Sequence, residues 1–149
     1  MRIINAADIT QKVADMVVRA NRILPADVLA AIDQGKARET SAAGREILSQ
    51  LQENAALARE TGLPLCQDTG MAVFFVELGQ ECQVEGAGLR EAITVGMCRG
   101  YKDGLLRKSV CDPLTRKNTG DNSPAVIHLD LVPGDGLKIA FMAKGGGSE

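Results

Sequence analysis

Tryptophan is absent from these 149 residues, and the aromatic complement is three phenylalanines and one tyrosine. Phe74, Phe75, Tyr101 and Phe141 are too few for a base-stacking platform, so nucleic acid is not an expected partner. An excess of one charge is missing too. Seventeen Lys and Arg against nineteen Asp and Glu leave a net charge of −2 without a block of like charges, and no electrostatic partner is indicated. The longest apolar run, Met71–Val76, has six residues, far short of a membrane span. Met1-Arg2-Ile3-Ile4-Asn5 has no signal-peptide apolar core, so the expectation is a cytoplasmic protein. Cysteine is present only as Cys66, Cys82, Cys98 and Cys111, at intervals of 16, 16 and 13. There is no Cys-x-x-Cys pair, and the single His128 has no companion at zinc-ligand spacing, which argues against a self-contained structural zinc site. A reducing compartment also argues against a disulfide framework.

What remains is an ordinary soluble balance, 45% apolar and 24% charged, in a chain long enough for one domain over residues 1–149 with a real core. Apolar residues at Ile9, Val13, Met16, Val17 and Ala20 recur at helical spacing, with Asp8 as a possible cap. A second helix is expected to start near Pro25, bury Val28, Leu29 and Ile32, and end at Gly35. A third runs from about Ser41 to Glu60 with a stripe of Ile47, Leu48, Leu51, Ala55 and Ala58, and Gly62 stops it. Met71–Leu78 has the length and β-branched, aromatic content of a buried strand, and Ala87–Tyr101 returns to helix. Cys82 falls in a polar connection and Cys98 on the buried side of that helix. Ala125–Val132 and Leu137–Ala143 read as a hairpin around Pro133-Gly134-Asp135-Gly136, with His128 an ordinary strand residue. The fold class is therefore α/β in the α+β sense: N-terminal helices, then a small, largely antiparallel sheet with a flanking helix.

Three segments carry chemistry. Leu63-Pro64-Leu65-Cys66-Gln67-Asp68-Thr69-Gly70 places a thiol, an amide, a carboxylate and a hydroxyl side by side. Pro64 holds Leu63 extended and Gly70 permits a turn, which makes a fixed loop. From Lys102 to Pro124 periodicity gives way to turn formers, a loop of unusual length for a compact domain. It carries Arg107, Lys108, Arg116 and Lys117, cations suited to an anionic ligand. Gly145-Gly146-Gly147, after the last strand, lets backbone N–H groups approach an anion; no Gly-Lys-Ser/Thr follows, so it is not a Walker loop.

Taken in order, Pro64-Leu65-Cys66-Gln67-Asp68-Thr69-Gly70, Leu106-Arg107-Lys108-Ser109, Asp112-Pro113-Leu114-Thr115-Arg116-Lys117-Asn118-Thr119-Gly120-Asp121-Asn122 and Ala143-Lys144-Gly145-Gly146-Gly147-Ser148-Glu149 resemble the class I, iron–sulfur-dependent fumarate hydratases. The resemblance covers essentially the whole chain, as the N-terminal part of the α subunit or α-type region. It implies a hydro-lyase that interconverts fumarate and (S)-malate on a [4Fe–4S] cluster, whose open iron is a Lewis acid toward the substrate's oxygens. On that resemblance Cys66 matches the first cluster ligand, and Gln67 and Asp68 match substrate contacts. Asp68 is the matching proton donor to the departing hydroxyl, Arg107 a carboxylate-binding arginine, and Gly145 and Gly146 the glycine backbone that meets the substrate. The family's two further cluster cysteines lie beyond Glu149, and no segment around Cys82, Cys98 or Cys111 matches their motifs. The expectation is a piece of a longer protein, inactive alone, that works with a β subunit or β-type domain, on a small dicarboxylate, as a homo-oligomer of α chains. L-tartrate dehydratase shares the Cys-Gln-Asp-Thr-Gly core and is the alternative hydro-lyase; a non-catalytic anion-binding or assembly module of the same fold is the other. The Arg-Lys-Asn-Thr-Gly-Asp-Asn and Gly-Gly-Gly-Ser-Glu wording favours fumarate hydratase.

Overall fold

Strand β2 (Met71–Gly79) is apolar on both faces along its first half and takes the position such a strand requires, the middle of a sheet. The computed structural model describes residues 1–146, and these form two compact units, residues 1–20 with the chain from 68 onward, and residues 21–67. In the first, β4 (Val126–Val132) runs parallel to one edge of β2 and β5 (Leu137–Lys144) antiparallel to the other. Register places Ile127 and Phe141 on either side of Phe74, and Leu129 and Ile139 on either side of Val76. That face packs on α1 (Ala6–Arg22) and α4 (Leu89–Asp103) through Val13, Val17, Ile93, Met97 and Tyr101. Phe74, Ile93, Met97 and Tyr101 are wholly buried, and each such apolar side chain contributes about 1.5–3 kcal/mol. On the opposite face Phe75 stacks on His128 with ring centroids 5.1 Å apart, an ordinary strand role for the only histidine.

The α+β class stands, with a mixed sheet. The hairpin, and with it the largely antiparallel pairing, is corrected: β4 and β5 flank β2 and do not pair with each other. The most apolar strand thereby satisfies both backbone edges. The intervening turn caps β2 instead, with Gly79 N–H donating to Gly136 O at 2.7 Å and Glu81 N–H to Gly134 O at 2.9 Å. A second correction concerns β1 (Arg2–Asn5) and β3 (Cys82–Glu85), a parallel pair that places Cys82 in a strand rather than a connection. Four residues are too few for a period-2 signal, and the partners lie 80 positions apart. Helix α1 is capped by Asn5, whose Oδ1 accepts from Ala7 N–H at 2.8 Å, with Asp8 in the first turn.

In the second unit α2 (Ala26–Arg38) lies against α3 (Ala42–Thr61). Helix α2 continues three residues past Gly35, which is tolerated inside a helix at a cost of about 1 kcal/mol. Helix α3 opens on Ser41, whose hydroxyl accepts from Gly44 N–H, and closes on Gly62 in the left-handed region at φ 71°. Of its expected stripe Ala55 and Ala58 are buried, whereas Ile47 and Leu51 are exposed. A thirteen-residue partner does not cover a twenty-residue helix. No helix among the described residues is long and apolar enough to cross a membrane.

Helices α1 and α4 approach closely because Gly96 and Gly100 recur at i, i+4 on α4. A Cβ at Gly96 would sit 2.5 Å from Thr10 O and 2.9 Å from Val13 Cβ, and one at Gly100 2.9 Å from Ala14 O. Gly96→Ala is therefore expected to destabilise this unit despite its better helix propensity. The gain of about 1 kcal/mol is outweighed by overpacking of about 1–3 kcal/mol against backbone that cannot yield. A thermal melt of the variant should show a lower midpoint, and an unchanged or raised one would contradict the close approach.

Candidate functional site

Leu65 is held on both sides within its own unit, its N–H donating to Asn21 O at 2.8 Å and its carbonyl accepting from Asn54 Nδ2 at 2.9 Å. Helix α3 thus anchors the residue just before Cys66. Cys66 and Gln67 follow with exposed side chains, and Cys66 carries a free thiol.

Asp68 begins the return to the other unit and turns sharply. Gly70 adopts φ 67°, and a Cβ there would run into the Lys144 carbonyl, so only glycine lets the end of β5 pass this close. The consequence is chemical. Gly70 N–H donates to Asp68 Oδ1 at 3.0 Å, and Gly146 N–H, just past β5, donates to Asp68 Oδ2 at 3.3 Å. The Ser109 hydroxyl adds a 3.4 Å bond to Oδ1. The Gly70 and Gly146 N–H groups hold the Asp68 carboxyl below the usual carboxylate range, desolvation opposes them, and Ser109 and the Arg107 guanidinium add lesser lowering effects.

Asp68, Arg107, Ser109, Cys111 and Gly146 line one hollow of about 250 Å³, with Gly70, Met71 and Val110. Clefts for drug-sized ligands run to about 300–1,000 Å³, so this one suits a metabolite-sized molecule. An ionised carboxylate, a guanidinium and a hydroxyl in such a space, beside a Gly146 N–H that donates to Asp68, can grip a carboxylate and exchange a proton with a neighbouring oxygen.

Of the residues singled out from sequence, Asp68, Arg107 and Gly146 meet here, although up to 78 positions separate them. Gly145 precedes the hollow without lining it, and Cys66 and Gln67 belong to the 21–67 unit. Gly147, Ser148 and Glu149 lie outside the described residues. The other loop cations separate. Lys108 lines a second hollow of about 490 Å³ with Arg99, Lys102 and Asp121, while Arg116 and Lys117 stand exposed on a turn that Asp112 organises.

A buried polar set behind the hollow escaped the motif reading. Tyr101 OH donates to Thr69 O at 2.7 Å and approaches Gly70 O at 3.1 Å, and Thr69 Oγ1 donates to Arg107 O at 2.7 Å. Asn122, entirely buried, donates to Gly70 O at 3.0 Å and accepts from Ser109 N–H at 2.8 Å and Val110 N–H at 3.2 Å. The sequence signal was present in the run Asn118 to Asn122, where polar density exceeds what a turn requires, yet nothing local marks which amide is buried.

The four thiols are free. Among the described residues no group of three or more His, Cys, Asp or Glu is placed to hold a metal ion. Cys66 fits a single exposed thiolate ligand, and a multinuclear centre at this loop needs further ligands from elsewhere.

Comparison with known proteins follows the same lines. A family profile described as fumarate hydratase (Fumerase) matches residues 10–149. The chain is 34% identical over 148 residues to a putative L(+)-tartrate dehydratase subunit alpha of Methanocaldococcus jannaschii, covering 93% of this chain and 52% of that one. It is 31% identical over 138 residues to a putative fumarate hydratase class I of Geobacillus stearothermophilus, covering 90% of this chain and 26% of that one. With the aerobic class I fumarate hydratase of Escherichia coli it shares 38% identity over 113 residues, 74% of this chain and 20% of the relative. The chain thus spans about half the length of the tartrate dehydratase subunit and 20–26% of the fumarate hydratases.

Proposed function

The chain belongs to the fumarate hydratase (Fumerase) family, and from that premise we propose that it is the N-terminal part of the α region of a hydro-lyase interconverting fumarate and (S)-malate. The observation that carries the reading is the convergence of Asp68, Arg107 and the Gly146 N–H on one hollow. In this proposal Arg107 binds a substrate carboxylate with its planar fork of donors, and the Gly145–Gly146 backbone receives a second oxygen. Gln67 contacts the substrate from the loop beside Cys66. Asp68 moves the oxygen-bound proton: it takes one from water when hydroxide adds to one carbon of the double bond, and returns it to the leaving hydroxyl in the reverse direction. A second acid–base group from elsewhere in the complete assembly gives and takes the proton of the other carbon. The Asp68 environment favours the carboxylate, the form that accepts the proton. Cys66 supplies one thiolate to a [4Fe–4S] cluster, with the remaining ligands from outside the described residues. When bound, such a cluster contributes a Lewis acid at an open iron. The partner is a β subunit or β-type domain, in keeping with the "subunit alpha" naming of the tartrate dehydratase relatives, and the site of action is the cytoplasm.

A tartrate dehydratase reading is favoured by one observation, the 34% identity over 93% of this chain to a protein of that name. The discriminating experiment is turnover of malate, fumarate and L-tartrate by the complete, anaerobically reconstituted protein. Preference for malate and fumarate supports the first reading, preference for tartrate the second, and no turnover of any of them removes both. Within the same assay Arg107→Lys is expected to raise KM by roughly 10–10²-fold with much less effect on kcat. One ammonium replaces a bidentate fork, and a charged hydrogen bond is worth about 1.5–3 kcal/mol. An unchanged KM would remove Arg107 from the carboxylate site.

A further inference from the structure

We propose that Asn122 is a positioning residue for this reaction, clamping the segment that carries Arg107 and Ser109 to the turn that carries Asp68. The inference rests on the hydro-lyase reading for its kinetic consequence, but the clamp itself is a structural statement.

Asn122 touches none of the candidate reacting groups. It lines no part of the Asp68 hollow, is entirely buried, and spends its carboxamide on backbone. Its oxygen accepts from Ser109 N–H at 2.8 Å and Val110 N–H at 3.2 Å, and its NH₂ group donates to Gly70 O at 3.0 Å. The two strips of backbone so joined are the two walls of the hollow. On one, Gly70 N–H bonds to the Asp68 carboxylate at 3.0 Å. On the other, Ser109 follows Arg107 by two residues and turns its hydroxyl onto the same carboxylate at 3.4 Å. Residues 111–120, which lie between Val110 and Asn122, are all exposed and add no buried tie. On the Ser109–Val110 side the carboxamide therefore joins the walls, as the Thr69 hydroxyl does at Arg107 O, 2.7 Å. Asn122 reaches inward because its backbone takes φ 69°, a left-handed conformation that asparagine adopts more readily than most side chains.

The chemistry singles out an amide. An acceptor must face two N–H groups while a donor faces a carbonyl, and only Asn combines both in this size. Asn122→Asp keeps the acceptor side and sets a carboxylate oxygen against Gly70 O, opening one wall alone. Asn122→Gly tolerates the left-handed backbone and releases all three bonds. In the complete enzyme both variants are expected to lower kcat on the order of 10²-fold, the scale of an ångström-level misplacement of reacting groups. In an Asp68→Asn background the further loss should shrink to about twofold, the range within which independent effects add. With no aligned carboxylate left, its misalignment costs little. Amide exchange measured on the 149-residue chain gives the second reading. Gly70 N–H should exchange faster in both variants, whereas Ser109 and Val110 N–H should do so only in Asn122→Gly. A kcat like the parent's, an equal loss in both backgrounds, or unchanged Gly70 exchange would each overturn the clamp. If the parent enzyme turns over none of the three substrates, the hydro-lyase reading fails by itself and the exchange pattern still decides on the clamp.

Discussion

Asp68→Asn in the complete enzyme is expected to retain cluster loading and substrate binding while turnover falls by about 10²–10⁴-fold, the usual contribution of a positioned acid–base group. The substitution is nearly isosteric, and the local bonds survive it unevenly. The amide oxygen can still accept from Gly70 N–H and Ser109 Oγ, the two partners of Asp68 Oδ1. The amide NH₂ then faces Gly146 N–H, donor against donor, and the 3.3 Å bond from Gly146 is lost. The turn therefore keeps its shape, while Gly146 is left with a free donor for a substrate oxygen. What disappears is the ability to accept and return a proton. Steady-state kinetics in both directions, beside the cluster's visible absorbance, separate these effects. Turnover at the parent rate would reduce Asp68 to a turn residue and move the acid elsewhere in the assembly.

Cys66→Ser is expected to have a still larger effect, the loss of cluster and turnover together. Iron–sulfur clusters are held by thiolates, and a serine hydroxyl is a harder ligand that stays protonated at neutral pH. On the proposed ligand role Cys66 would hold the cluster through its thiolate, so losing it would remove the function rather than scale it. The position is suited to the role. The thiol is exposed on a loop anchored through Leu65 to Asn21 and Asn54, and it precedes Asp68 by two residues. Cys82, half-buried in β3, is the control, and Cys82→Ser should load cluster as the parent does. Anaerobic reconstitution followed by visible absorbance and iron content measures both. Normal loading of Cys66→Ser would withdraw the ligand assignment.

Much of the larger framework was legible residue by residue. The three N-terminal helices follow from 3.6-residue spacing and from stops such as Gly62, and β2 follows from an apolar, β-branched run of strand length. The long loop was legible from the loss of periodicity after Lys102. Strand pairing was not. A short turn between β4 and β5 reads as a hairpin, because local sequence cannot show that β2 takes the place between them. Likewise β1 and β3 gain their strand character only from each other, across 80 positions.

The candidate site divides in the same way. Cys66, Gln67, Asp68 and Arg107 were singled out as candidates because a thiol, carboxylate and guanidinium in loops are visible without coordinates, and the proposed role of each comes from the resemblance of the motifs to the family. Ser109 and Cys111 as wall residues, Tyr101 as a donor to the Asp68 turn, and Asn122 as the tie between two loops came only from three-dimensional placement. The sequence by itself determined the helices, the central strand and which loop side chains are candidates for chemistry, because these depend on local spacing and on the chemistry of single residues. Tertiary structure decided which strands pair, which loop cation faces Asp68, and which amide is buried. Those outcomes depend on long-range burial and on satisfying backbone groups far apart in the chain.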